Sequence, residues 1–525
     1  MNLLAAASPD YTPFWILAAG VIFVIASIVK FRLHPFLGLT LGAILVGLLT
    51  PSLPELTKVN GFWGDSEGAS HLIRSIKWAM AGFGTLVGKI GFVIAMAAVI
   101  GTCMMESGAA DKIVRRLMDS LGESRAAWAM LISGFVLSIP VFFDTVFFLL
   151  IPLARALALR TGKNYTLYVC AVAGAGAITH TIVPPTPGPL MIAENLGQPA
   201  GNAIIAGLLA AVIPVAIVMW LAKRFNEKLD IPIRETKGSS VDELNKIVKK
   251  NDDELPGFGI SVLPVLLPVV LISAVTFIGL AAKFGVTISP ELKKWLEFIG
   301  DKNVAMFIAA LIAMYTLAKQ RGWTFEKLGE SMNNPLETAG VIILITGAGG
   351  AFGSMIGHSG MGDTIKAIGV SEGGAAGMLF MAWLLTAVIR AAQGSATVSM
   401  ITGSGIMAPI LAAMAEDGSL GCHPIYFCLA IGFGAFPLSW MNDSGFWVVQ
   451  RMSGFTEKET LKTWTVMLTA IGVAGIIQVM VAATVFPMKP EKPAAEPEKT
   501  AQVSSVAGSA LPGNPLRPLH PQKSP

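Results

Sequence analysis

The sequence predicts an all-α polytopic membrane protein of two inverted-topology repeats, each about five transmembrane helices plus a re-entrant hairpin. Three observations predict it. Apolar stretches of about 17–25 residues, the length that crosses a bilayer as a helix, recur almost end to end. The chain is 53% hydrophobic and 14% charged, with a mean hydropathy of +0.65, far outside the range of soluble domains. It also repeats itself: Gly101, Ser107, Gly108, Asp111 and Ile113 recur 252 residues later as Gly353, Ser359, Gly360, Asp363 and Ile365, with Glu106 replaced by His358. Internal repeats in an apolar chain mark secondary transporters, whose halves enclose one site near the bilayer midplane.

The first repeat, residues 1–222, has expected spans at Phe14–Val29, Pro35–Leu49, Thr85–Met105, Tyr165–Val183 and Gly201–Ala222. The second, 258–487, has them at Ile260–Ala281, Asn303–Ala318, Leu336–Gly357, Pro424–Trp440 and Trp464–Val485. Each half also holds a longer apolar stretch that does not read as one helix. The stretch 126–154 is broken by Ser138-Ile139-Pro140, and 373–415 by Gly394-Ser395. Basic residues flank the first stretch on both sides, Arg125 before it and Arg155 and Lys163 after it, so its ends face one compartment. A re-entrant hairpin satisfies this, and so does a pair of short full crossings.

Residues 223–257 carry dense charge of both signs and read as a cytoplasmic linker; residues 488–525, rich in Pro, Lys, Ala and Ser, read as a disordered tail. Five crossings per half is an odd number, so the second half lies upside down relative to the first. Net charge is only +4 and the basic residues sit in short loops, which argues against nucleic acid as a partner. The first helix follows no basic leader and is expected to be retained. Cys103, Cys170, Cys422 and Cys428 show no metal-ligand spacing, and no cofactor, metal or nucleophile–base pair is expected.

An ionisable side chain at mid-bilayer costs about 2.5–3.5 kcal/mol on insertion scales, so each one needs a reason. Asp144, His180, Arg390 and Asp443 each stand alone in a broken or irregular apolar segment. Asp144 follows Pro140-Val141-Phe142-Phe143, where a half-helix would start, and is either a proton-binding carboxylate or the partner of a neighbouring helix. His180 directly precedes Pro184-Pro185-Thr186-Pro187-Gly188-Pro189, which cannot continue a helix. It is either a proton carrier or an interfacial histidine bonded to a carbonyl. Arg390 precedes Gln393-Gly394-Ser395-Ala396-Thr397, whose hydroxyls and amides can hold a carboxylate; Arg390 either joins them or snorkels outward. Asn442-Asp443-Ser444-Gly445 is either a helix unwinding where oxygens converge or a plain Asx turn. Lys89 is expected to snorkel, and Glu106 and His358 to be structural.

These residues resemble the gluconate permease family. The resemblance runs through Pro140 to Asp144, Leu149 to Leu153, Thr179-His180, Val183 to Pro189, Gln393 to Val398, Asn442 to Trp447 and Leu461 to Val466. It implies a secondary active, proton-coupled symporter of a sugar-acid anion such as gluconate, in the bacterial inner membrane, assembled as a homodimer. The family also includes carriers of other small hydroxylated acids and of D-serine, and a sodium-coupled carboxylate carrier is the nearest rival. On this resemblance Ser395, Thr397 and the Gly394 amide, with Arg390, hold the carboxylate. Thr186, Asn442 and Ser444 take hydroxyls, and Asp144, Asp443 or His180 carries the proton.

Overall fold

The computed structural model describes residues 10–55, 69–229, 231–234, 254–283, 289–361, 364 and 374–488. Asp363 and Ile365 of the repeat, linker residues 235–253 and the tail from 489 lie outside the described residues. Among the described residues every regular element is a helix, and nine helices are long and apolar enough to cross a membrane.

Helices α1 (Thr12–Val29) and α2 (Pro35–Leu49) begin at or beside a proline, tolerated there because first-turn amides have no intrahelical partner. Helix α3 (His71–Ser107) starts well before the span expected at Thr85, its first turn capped by the Ser70 hydroxyl on the Ile73 amide. It stops at Gly108, where φ is +79° and the chain turns into the amphipathic α4 (Ala109–Leu121). The first hairpin is α5 (Ala126–Leu137) and α6 (Phe143–Thr161), with residues 138–142 non-helical between them.

Next come α7 (Tyr165–Ile182) and α8 (Pro187–Asn195), which form one broken helix buried almost throughout. The proline run does break the chain, but Pro187 and Pro189 sit in the first turn of α8, where a missing N–H breaks no helical bond. The span expected at Gly201–Ala222 is two helices, α9 (Ala200–Ala210) and α10 (Val212–Leu229), the second reaching past the boundary expected at 222.

The second half opens with α11 (Phe258–Lys283), α12 (Pro290–Ile299), α13 (Lys302–Arg321) and α14 (Phe325–Ser331). Then α15 (Asn333–His358) matches α3 in order, and a hairpin of α16 (Gly374–Gln393) and α17 (Ala396–Asp417) matches α5 and α6. A second broken helix follows: α18 (Pro424–Gly434), irregular residues 435–443, and α19 (Ser444–Ser453). The expected span Pro424–Trp440 is therefore helical only to Gly434. The chain closes with α20 (Glu457–Thr460), a π-helical turn (Leu461–Thr465) and α21 (Val466–Val485).

Helix packing follows from small residues, which let backbones approach where lipid offers no hydrophobic drive. Helix α3 runs antiparallel along α15, with Trp78 on His358, Leu86 over Gly350 and Gly91 beside Ile343. Gly134 of α5 lies against the Val172 backbone of α7, a Cβ there falling 3.0 Å from the Val172 carbonyl. Helix α7 is apolar on all sides and sits at the centre. Off the core, α12 leaves Leu292, Trp295 and Phe298 exposed, in keeping with a helix lying along a bilayer surface.

Candidate functional site

Both hairpin turns and both broken helices meet at one cavity of about 340 Å³. Its wall takes Phe143, Asp144 and Thr145 from α6, and Ala177, His180 and Thr181 from α7. The second hairpin supplies Arg390, Ser395, Ala396, Thr397 and Val398. Asp443, Ser444 and Gly445 come from the second break, Trp464 from the π turn, and Thr338, Ile342 and Ile345 of α15 close one side.

Three helix N-termini open onto this space, those of α6, α17 and α19. An N-terminus carries roughly half a positive charge and amides without helical partners, so each one favours an anion. Asp443 answers one of them, its Oδ1 accepting the Gly445 amide at 3.0 Å. At α17, Ser395 accepts the Val398 amide at 3.3 Å, and the Ala396 and Thr397 amides have no partner among the described residues. At α6 no side chain caps the helix, and Asp144 lies in its first turn with no hydrogen bond or ion pair to any described residue.

Arg390 and Asp443 form a buried ion pair, Nη2 to Oδ2 at 2.6 Å, with the residues 2% and 5% exposed. Arg390 also donates to the Gly394 carbonyl at the hairpin turn. Asp443 further accepts from Ser439, whose oxygen accepts the Trp464 indole N–H at 2.7 Å. The Thr465 hydroxyl donates to the Ser439 carbonyl. This chain of bonds ties hairpin, broken helix and π turn into one unit, and the π turn brings Trp464 against Phe143, ring centroids 5.2 Å apart. Arg390 does not snorkel. Its charge is matched inside the protein, which leaves it less free to hold a ligand carboxylate than the sequence suggests.

Seven of the ten residues singled out in the sequence line the cavity: Asp144, His180, Arg390, Ser395, Thr397, Asp443 and Ser444. Thr186, Gly394 and Asn442 are not among the residues that line it. Thr186 is buried and its hydroxyl donates to the Val183 and His180 carbonyls, at 2.7 and 3.1 Å, tying off the broken end of α7. Gly394, at φ +83°, packs on the Asn442 carbonyl, and the Asn442 amide donates to the Ala391 carbonyl at 2.8 Å. They form the seam beneath the cavity. His180 and Phe142 meet edge to face, ring centroids 6.4 Å apart, and the buried His180 Nδ1 has no partner among the described residues. Ser439, Thr181 and Thr338 are site residues without a sequence signal, being single hydroxyls in apolar sequence, and Trp464 is marked only by lying in the Leu461 to Val466 motif.

Residues 12–485 match the sequence model of a family described as GntP family permease. A gluconate permease of Pseudomonas aeruginosa is 34% identical over 89% of this chain and 96% of its own length. A high-affinity gluconate transporter and a Gnt-II system L-idonate transporter, both of Escherichia coli, are each 30% identical over 89% of this chain and 98% of their own. Among solved structures, MtrF of Neisseria gonorrhoeae superposes with a TM-score of 0.58 at 15% identity, covering 89% of this chain and 99% of its own. The YdaH transporter of Alcanivorax borkumensis gives 0.55 at 13%, covering 92% and 100%. At these identities the two structures speak for the fold alone.

Proposed function

The chain belongs to the GntP permease family, and from that premise we propose that it carries gluconate or a related sugar acid inward together with a proton. It is a multi-pass protein of the bacterial inner membrane, a transporter and not an enzyme. The substrate follows from relatives named for gluconate and L-idonate. The observation that carries the site is the convergence of three helix N-termini on one cavity lined by hydroxyls.

In this mechanism the substrate carboxylate sits at the start of α17, on the Ala396 and Thr397 amides with the Ser395 and Thr397 hydroxyls. Ser444, Thr181 and Thr338 face the polyol end. Asp144 takes the coupled proton, because Asp443 is already neutralised by Arg390 and Asp144 has no counter-ion among the described residues. Protonated, Asp144 removes a negative charge from beside the entering anion; emptied of substrate, the cavity releases the proton. His180 bears on the same space and offers a second relay position. The two repeats lie inverted about this site, and two copies assemble as a homodimer.

One monoanion with one proton is electroneutral, so a membrane potential, worth about 2.3 kcal/mol per charge per 100 mV, leaves such uptake unmoved. Proteoliposome uptake of labelled gluconate tests this. A pH gradient alone should concentrate substrate, and a potassium-diffusion potential alone should not. Uptake that needs sodium, and stops when choline replaces it, overturns the proton.

A further inference from the structure

A second cavity, of about 710 Å³, lies between α3, α15 and α17, and the transport reading gives it no role. Its polar lining comes from Thr85 and Lys89 of α3, Asn195 at the end of α8, and Ser354 of α15. Lys89 is exposed and makes no hydrogen bond or ion pair to any described residue. Among the described residues no carboxylate lines the cavity. The neighbouring Glu194 is taken up by Lys302. A lone ammonium facing a roomy, acid-free chamber inside an apolar helix is an electrostatic sink for anions.

The two cavities share their walls. Helices α15 and α17 run parallel, meeting at Gly349 on Ile401, Gly353 on Gly405 and Gly357 on Pro409. The buried site touches α15 up to Ile345 and α17 up to Val398, and the second cavity begins at Gly350 and Gly405. At 1.5 Å per residue that is about 8 Å along one helix and about 10 Å along the other, in the same direction. The second chamber therefore lies one or two turns further along the same pair of helices.

We infer that this chamber is an anion vestibule, in which Lys89 gathers the carboxylate of the transported acid before it passes to the buried site. The inference rests on the transport reading above. Its test is the substrate concentration dependence of uptake in proteoliposomes, at low and high ionic strength, for wild type and for Lys89→Gln, Lys89→Arg and Lys89→Glu. Removing the charge should raise KM about five- to tenfold at low salt with kcat unchanged, as expected of lost electrostatic capture. Arginine should restore KM, glutamate should raise it further, and the glutamine variant should lose the salt dependence seen in wild type.

Wild-type uptake with a KM indifferent to ionic strength overturns the vestibule without any variant, should one fail to fold. An unchanged KM in Lys89→Gln does the same. A Lys89→Gln effect seen in anionic-lipid vesicles and absent in neutral ones assigns the lysine to a lipid headgroup, and also overturns it. Wild type that takes up no sugar acid at all sinks the transport reading itself, a separate failure.

Discussion

The first hairpin turns over at residues 138–142 and delivers Asp144 to the cavity with no partner among the described residues, whereas the second turns over at Gly394-Ser395 with its charge already matched. Arg390 reaches across to Asp443 on the broken helix, and Gly394 rests on the Asn442 carbonyl. The second hairpin is thus locked to its neighbour by an ion pair and a glycine contact. The first is held by packing, with Phe143 against Trp464 and Gly134 on the Val172 backbone. Two elements of one plan have divided the labour: one fixes geometry, the other keeps a charge free to change.

That division can be broken at its strongest point first. Asp443→Asn or Arg390→Gln leaves one charge buried and unmatched, which should cost about 3–5 kcal/mol and abolish transport. Thermal unfolding of the detergent-purified protein reads the first effect, and uptake reads the second. The double change Arg390→Met with Asp443→Leu should recover much of the stability and none of the transport. Equal loss in the single and double variants would mean that the pair does not lock the hairpin.

Gly394→Ala comes next. It forces a side chain into left-handed backbone, at about 1–2 kcal/mol, and drives a Cβ into the Asn442 carbonyl. Transport should fall at least tenfold with folded protein still recoverable, measured by uptake against quantified membrane expression.

Asp144→Asn sharpens the other side of the contrast. Nothing in the described residues bonds to this carboxylate, so replacing it with a neutral amide should leave the unfolding temperature unchanged or raised, not lowered. Counterflow should persist while concentrative uptake on a pH gradient is lost. A destabilised Asp144→Asn would reveal a structural partner and end its candidacy as the proton group. The smallest effect on transport belongs to Thr186→Val, which loses one hydroxyl donor shared between two carbonyls for about 1 kcal/mol and should leave the gluconate KM unchanged.

Much of the fold was legible because its cause is local. Continuous apolar runs set the spans, and Pro140 and Gly394 set the hairpin turns. The interruptions within 201–222 and after Gly434 were legible only in part: Pro214 and Pro437 mark them, but the apolar runs around them read as single spans. There the chain unwinds to satisfy tertiary partners, Ser439 accepting Trp464 and Asp443 accepting Ser439. The lone charges announced the site, because a buried charge must have a partner or a task. Which of the two each one has depends on what folds against it. Arg390 and Asp443 stand 53 residues apart in sequence, and no spacing rule pairs them.

The wide turn at Leu461–Thr465 accommodates a surplus residue within otherwise α-helical winding. Every position after it is rotated by about 100° from where an uninterrupted α-helix would place it. The azimuth of Trp464 over Phe143 and the face α21 buries through Met467, Ile471 and Gly472 are therefore set by the same insertion. Deleting one residue there cannot regularise the winding without misaligning either the indole or the face. Ligand chamber and helix seat share a single phase.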